Sequence, residues 1–250
     1  MFSVDDRAAL RDALIDAARH DARITGVALT GSSSTGAEDR WSDIDLAFGV
    51  AADANRTALI AEWTKRMYEV HDAVHHTDVM AGAALFRVFL LRDTLQVDLA
   101  FWPESEFGAI APTFRLVSGS ARERPAFPDP TAEPLIGMAW LYALHARSSI
   151  ARGKVWQAEY MISGVRDHVL ALACLRHGVP AVQGRGMDML PREVTAPVAD
   201  AIVRSLDVAE LRRAFASACE LLLVEIAAAD ASLAARLSAP IRELAAMSTV

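Results

Sequence analysis

Lysine is almost missing from this 250-residue chain: of its 25 Lys and Arg residues, only Lys65 and Lys154 are lysines. No run of basic residues occurs, and 32 acidic residues leave a formal net charge of −7. A nucleic-acid partner, which needs clustered cations to displace counterions, is therefore not expected. An acidic balance suits a cationic small molecule better. Cysteine is equally scarce. Cys174 and Cys219 sit in apolar helical patterns with no metal-ligand spacing, which reads as two buried, reduced thiols. No stretch approaches the roughly 18 consecutive apolar residues of a membrane span, so no membrane association is expected. The segment MFSVDDRAALRDAL is acidic and amphipathic and lacks the basic start and apolar core of a signal peptide, which points to the cytoplasm. There is no internal repeat and no low-complexity segment beyond general alanine richness.

What the chain does have is enough apolar residues, 53%, to bury one large core or two small ones. Residues 5–20 read as an amphipathic helix with Ser3 as N-cap and Asp5 and Asp6 in its first turn. Residues 24–30 read as a buried strand, and GSSSTGAEDRWSDIDLAFGV begins as a Gly/Ser turn opening a short helix and ends as a strand. A helix over 54–70, a weaker strand over 74–80 and a hairpin of 85–91 with 95–102 follow. ARERPAFPDPTAEP then breaks the pattern with four prolines, which helices do not run through. Beyond it, 135–152, 154–178, 192–206, 208–229 and 231–247 all show helical periodicity. The expected organisation is α+β, with a mixed sheet and flanking helices over 1–120 and an all-α bundle over 132–250.

Asp43 and Asp45 stand two apart in S-D-I-D-L-A-F, so a strand turns both to one face and Ile44, Leu46 and Phe48 to the other. Two adjacent carboxylates repel, and a divalent cation is the simplest remedy; Mg²⁺ accepts one or two carboxylates together with phosphate oxygens. Asp98 repeats the design in L-Q-V-D-L-A-F-W between the core residues Val97 and Leu99. If its strand lies beside that of Asp43, three carboxylates converge, enough for two metals about 3.5–4 Å apart as used in in-line phosphoryl displacement. Gly31 and Ser32, after the first strand, offer a turn whose backbone can approach phosphates, with Ser32 and Ser33 as further donors. Asp-x-Asp and Gly-Ser are each common by chance, and the weight lies in their conjunction.

This conjunction, Gly31-Ser32 through Asp43-Ile44-Asp45-Leu46, resembles the signature of the DNA polymerase β-like nucleotidyltransferases. Asp43 and Asp45 match its paired metal-binding aspartates, and Asp98 matches the third carboxylate by its place in the later strand. More narrowly, the chain resembles bacterial aminoglycoside and lincosamide nucleotidyltransferases (adenylyltransferases), which join a small catalytic domain to a helical one. The resemblance implies transfer of a nucleoside monophosphate, AMP from ATP or the unit of another NTP, to a hydroxyl of a small molecule, with two Mg²⁺ ions. A protein AMP-transferase of toxin–antitoxin type is the alternative, disfavoured by the long helical extension. A non-catalytic nucleotide-binding regulator is a third, disfavoured because all three aspartates are present. Oligomer formation is left open.

In the helix RGKVWQAEYMISGVRDHVLALACLRHG, Val155, Ala158, Ile162, Val165, Val169 and Leu172 form the apolar stripe. Lys154, at its start, is placed to reach a triphosphate, or is a solvated lysine. Glu159, off the stripe, is the candidate general base for the acceptor hydroxyl, ahead of Glu133 and Glu104; its bland alternative is a surface carboxylate paired with Ser163 or Arg166. Trp156 and Tyr160 are expected in the core more than on a ligand. His71, His75 and His76 cluster without a ligand pattern and read as a polar loop.

Overall fold

The apolar alternation along the first half of the chain resolves into one six-stranded sheet, in a computed structural model that describes residues 1–125 and 130–246. Its strands are β1 (Ile24–Thr30), β2 (Ile44–Val50), β3 (Ala73–Ala81), β4 (Ala84–Leu91), β5 (Gln96–Pro103) and β6 (Phe114–Gly119). Their order is β3-β4-β5-β2-β1-β6, with β2 and β5 parallel and every other neighbouring pair antiparallel. The chain divides into two compact units, Met1–Pro128 and Asp129–Val250, each with its own core. The fold is α+β, as expected.

In the first unit, α1 (Val4–Arg19) and α3 (Arg56–Val70) cover one face of the sheet. Ser3 accepts from the Asp6 N–H while the Asp6 carboxylate accepts from the Ser3 N–H, a reciprocal capping box that fixes where α1 begins. Asn55 caps α3 by accepting from the Ala58 N–H. Leu14, Ile15 and Ala18 from α1 and Leu59, Trp63 and Met67 from α3 meet Ile44, Leu46, Phe48, Val97, Leu99 and Phe101 from the central strands. Fully burying one such side chain contributes about 1.5–3 kcal/mol. On the opposite face Phe107 packs on Ala28, Ala47, Ala100 and Trp102.

One expectation needs correction here. Residues 114–119, to which no element is assigned from the sequence, form edge strand β6, which pairs with β1 across a register shift. A six-residue strand with partial burial has too short an alternation to stand out. Between β1 and β2, as anticipated, Gly31–Thr35 form a short helix, α2.

The second unit is all-helical: α4 (Ala132–Ala151), α5 (Val155–Arg176), α6 (Arg192–Val198), α7 (Val208–Ala229) and α8 (Ala231–Ala245). The stripe Ala158, Ile162, Val165, Val169 and Leu172 is buried against α4 and α7, with Val155 at its margin. Gly164 lets α5 approach α4 closely, since a Cβ there would lie 2.5 Å from the Tyr142 ring. Helix α4 starts earlier than expected, because Pro134 falls in its first turn, where no N–H is needed. The helix expected over 192–206 stops at Val198; Pro197 precedes a short 3₁₀ turn, 199–201, and irregular chain follows. Cys174 and Cys219 are free and buried, as expected, and burial pushes the Cys219 thiol up to about 12. Residue 247 of the last expected helix, and part of the expected break at 120–132, lie outside the described residues. Among the described residues no helix is long and apolar enough to cross a membrane.

Candidate active site

The parallel pairing of β2 with β5 sets Asp45 directly opposite Asp98. Asp43 stands one residue before β2. Ligand oxygens from Asp43, Asp45 and Asp98 all lie within 4.8 Å of one another, and among the described residues no other group of three His, Cys, Asp or Glu side chains comes together in this way. The cause is the alternation of the strands. Ile44, Leu46, Val97 and Leu99, each 1% exposed or less, are locked into the helix-covered face, so their neighbours must turn to the opposite one.

The electrostatics of this cluster ask for a cation. Burial pushes the Asp98 carboxyl up to about 6, and the Asp43 charge adds to the rise. The Gln96 amide opposes it: its Nε2 donates to Asp98 Oδ1 at 2.9 Å and to Asp43 Oδ2 at 3.3 Å. Gln96 precedes Asp98 by two positions and so shares its face. That spacing in L-Q-V-D was visible in the sequence, but an exposed glutamine carries no signal by itself.

Gly31 is pressed against the same cluster. Its φ is +60°, and a Cβ built on it would lie 2.0 Å from Asp45 Oδ2. Glycine is thus required for the approach of this turn to a carboxylate, a constraint additional to the phosphate contact read from the sequence. Ser33 is buried and its hydroxyl donates to the Thr30 carbonyl at 3.0 Å; Ser32 is partly exposed. Arg115, exposed on β6, donates to the Ser33 carbonyl at 3.3 Å and brings a guanidinium to this turn.

The loop ahead of Asp43 is held from α1. Arg7, 3% exposed, donates through Nη1 to the carbonyls of Asp39 (2.6 Å) and Ser42 (3.0 Å), and its Nε lies 3.5 Å from Glu38. Arg11 holds the same Glu38 at 2.8 Å. Asp39 accepts from the Trp41 N–H and the Ser42 hydroxyl, closing a tight turn, and these bonds hold its carboxyl below the usual range. Sequence reasoning assigned nothing to Arg7 or Arg11, because an arginine in an amphipathic helix reads as surface.

Lys154 and Glu159 belong to the helical unit. Lys154 is exposed at the N-cap of α5, after Gly153 with φ +67°. Glu159 is partly exposed and accepts from the Ser163 hydroxyl at 2.7 Å, whereas Arg166 pairs with Asp167. Trp156 and Tyr160 are 74% and 60% exposed, so neither is the core residue expected. His71 ends α3, and His75 and His76 lie within β3 rather than in a loop.

No protein-family model and no curated protein matches the sequence. Among solved structures the chain is similar to an aminoglycoside 6-adenyltransferase from Bacillus subtilis, at 13% identity over 98% of this chain and 99% of that one, with a TM-score of 0.44. It is also similar to a chain of the polymerase core of TRAMP, an RNA surveillance complex, at 14% identity over 88% of this chain and 58% of that one, with a TM-score of 0.30. A third similarity is to a chain of the GLD-2/RNP-8 complex, at 15% identity, 89% and 68% coverage and a TM-score of 0.30. Likenesses at these identities and TM-scores carry no argument about activity, which has to rest on the geometry of the three aspartates.

Proposed function

We propose that this chain is a nucleotidyltransferase that moves a nucleoside monophosphate, AMP from ATP in the first instance, onto a hydroxyl of a small molecule of aminoglycoside or lincosamide type. The observation that carries the reading is the convergence of Asp43, Asp45 and Asp98 on one face of the sheet, beside a glycine turn that contacts one of them. Three carboxylates this close, one of them pushed up to about 6, are a donor set that fits divalent cations such as Mg²⁺. Two such ions held by Asp43, Asp45 and Asp98 would supply charge neutralisation at the attacking and leaving oxygens of an in-line displacement.

The chain's own groups then have distinct tasks. Gln96 fixes one oxygen of Asp43 and one of Asp98. The Gly31-Ser32 turn, with the Ser32 hydroxyl, borders the place for a triphosphate, and Arg115 and Lys154 are the candidate cations for it. Ser33 supports the turn from within. Glu159 is the proposed base for the acceptor proton, and Ser163 orients its carboxylate. Trp156 and Tyr160, exposed beside Glu159 on α5, offer apolar surface to an acceptor ring. The acidic balance of the chain favours a cationic acceptor.

The test is pyrophosphate release from labelled ATP with Mg²⁺ and a panel of aminoglycosides and lincosamides. Release with at least one acceptor, and a fall of about a thousandfold or more in Asp45→Asn, is expected, since the cation contribution is several kcal/mol. No release with any acceptor or nucleotide at saturating protein, or full activity in Asp45→Asn, would overturn the reading.

A further inference from the structure

Strand β3 is an edge of the sheet, bonded to β4 on one side only. It is nine residues long, AVHHTDVMA, and carries neither lysine nor proline, the usual means of blunting an edge; the one irregularity is a register shift between Ala73 and His75. Val74, Val79 and Met80 are 42%, 52% and 61% exposed. Nothing in the proposed chemistry uses this strand.

The hairpin geometry fixes which backbone groups point outward. Ala81 and Ala84 close a two-residue loop, Gly82 and Ala83, and such a closing pair exchanges both of its hydrogen bonds. Bonded and non-bonded pairs alternate along the unbroken register back to His75. Ala81, Val79 and Thr77 therefore turn their N–H and C=O toward β4. Met80, Asp78 and His76 turn theirs away from the sheet.

We infer that β3 pairs antiparallel with β3 of a second copy of this chain, about a two-fold axis at Thr77. Outward-pointing residues have to face outward-pointing residues, so the axis passes through a residue rather than between two. An axis at Asp78 sets two carboxylates directly opposite each other, and one at His76 stacks two imidazoles and leaves Asp78 opposite Val74. An axis at Thr77 sets His76 opposite the second copy's Asp78, and Asp78 opposite its His76, twice over by symmetry. The donors and acceptors match. His76 Nδ1 is engaged by the Tyr68 hydroxyl at 2.9 Å, which leaves Nε2 for the carboxylate. Asp78 receives Arg87 on both oxygens, at 2.7 Å each, and a carboxylate oxygen has a second lone pair. Met80 comes opposite Val74, so the pairing also covers exposed apolar side chains.

Thr77 lies in one cross-strand row with Val88, Asp98 and Asp45. The two six-stranded sheets would become one continuous sheet with both aspartate clusters on the same face. Five strand spacings separate the two copies of Asp98, about 24 Å.

Cysteine cross-linking of the full chain tests the register directly. At a non-hydrogen-bonded pair on the axis the two Cα atoms lie about 4.5 Å apart, within disulfide reach. Thr77→Cys should form a disulfide-linked dimer under mild oxidation, while Val79→Cys, displaced by four residues from its own copy, should not. The native Cys174 and Cys219 are buried and leave the background silent. In sedimentation equilibrium the unmodified protein should dimerise with rising concentration. Met80→Pro, which removes an outward N–H and no bond to β4, should remain monomeric with an unchanged circular dichroism spectrum. A monomer persisting to about 100 µM, equal cross-linking of the two cysteine variants, or undiminished dimerisation of folded Met80→Pro overturns the proposal.

Discussion

A single hydrogen separates Gly31 from a collision with the candidate metal site. Its φ of +60° costs an L-residue about 1–2 kcal/mol, and an added methyl would meet Asp45 Oδ2 at 2.0 Å. Gly31→Ala is expected to destabilise the protein by about that amount in urea titrations. It should weaken Mn²⁺ binding in calorimetry by a larger factor, because the methyl displaces the carboxylate. A variant that binds Mn²⁺ as the parent does would show that Asp45 is no ligand. Asp98 offers a second handle. Its carboxyl is raised from 3.8 to about 6, so the folded state binds the proton more tightly than the unfolded one. Below about pH 4 both states are protonated and nothing is lost. As pH climbs through 6 the folded state has to carry an unfavourable charge, and stability falls. Asp98→Asn removes that penalty, and the metal-free variant should be about 1–3 kcal/mol more stable than the parent at pH 7–8, with the gain vanishing by about pH 4. Equal gains across that range would mean that Asp98 titrates normally.

Among the elements, α1 does more than cover the sheet. Its Arg7 and Arg11 hold the 38–42 loop from which Asp43 projects. Arg7→Leu leaves two backbone carbonyls without their buried donor and should cost about 2–4 kcal/mol, against about 1 for the more exposed Arg11→Leu. Faster amide exchange confined to 38–43 and a drop in Mn²⁺ affinity should accompany it; uniform loosening of the sheet would argue for a purely structural arginine. This element also marks where legibility in the sequence ended. Strands β1, β2 and β5, helix α1 with its Ser3 cap and the helices beyond residue 130 were readable, because burial imposes a period on each. Asp43, Asp45 and Asp98 were readable for the same reason, as charges interrupting that period. The edge strand β6 was not, because half-buried strands lose the alternation. Nor were Arg7 and Gln96, whose partners lie 32 and 53 positions away at Asp39 and Asp43. A glycine in a Gly-Ser turn announced itself, but its contact with Asp45 is a tertiary fact that local pattern does not encode.

Taken whole, the molecule has two units with separate cores, and their stabilities have separate sources. The first unit concentrates unfavourable charge at its aspartate cluster, so a cation bound there stabilises that unit. The second unit holds an ion pair with one buried partner instead: Glu225, 6% exposed, receives the partly exposed Arg176 on both oxygens at 3.0 and 2.7 Å. Calorimetry of the intact chain should therefore resolve two transitions. Mn²⁺ at about a hundred times its Kd contributes about 2.7 kcal/mol to whatever binds it, which for a unit of this size is a rise of about 10 °C. That rise should appear only in the transition reported by Trp63 and Trp102, which lie in the first unit. Glu225→Gln, by stranding Arg176, should lower only the transition reported by Trp140 and Trp156. If Mn²⁺ moves neither transition, the aspartates do not hold a cation. If Mn²⁺ and Glu225→Gln each move a single shared transition, the metal site stands and the two units unfold as one.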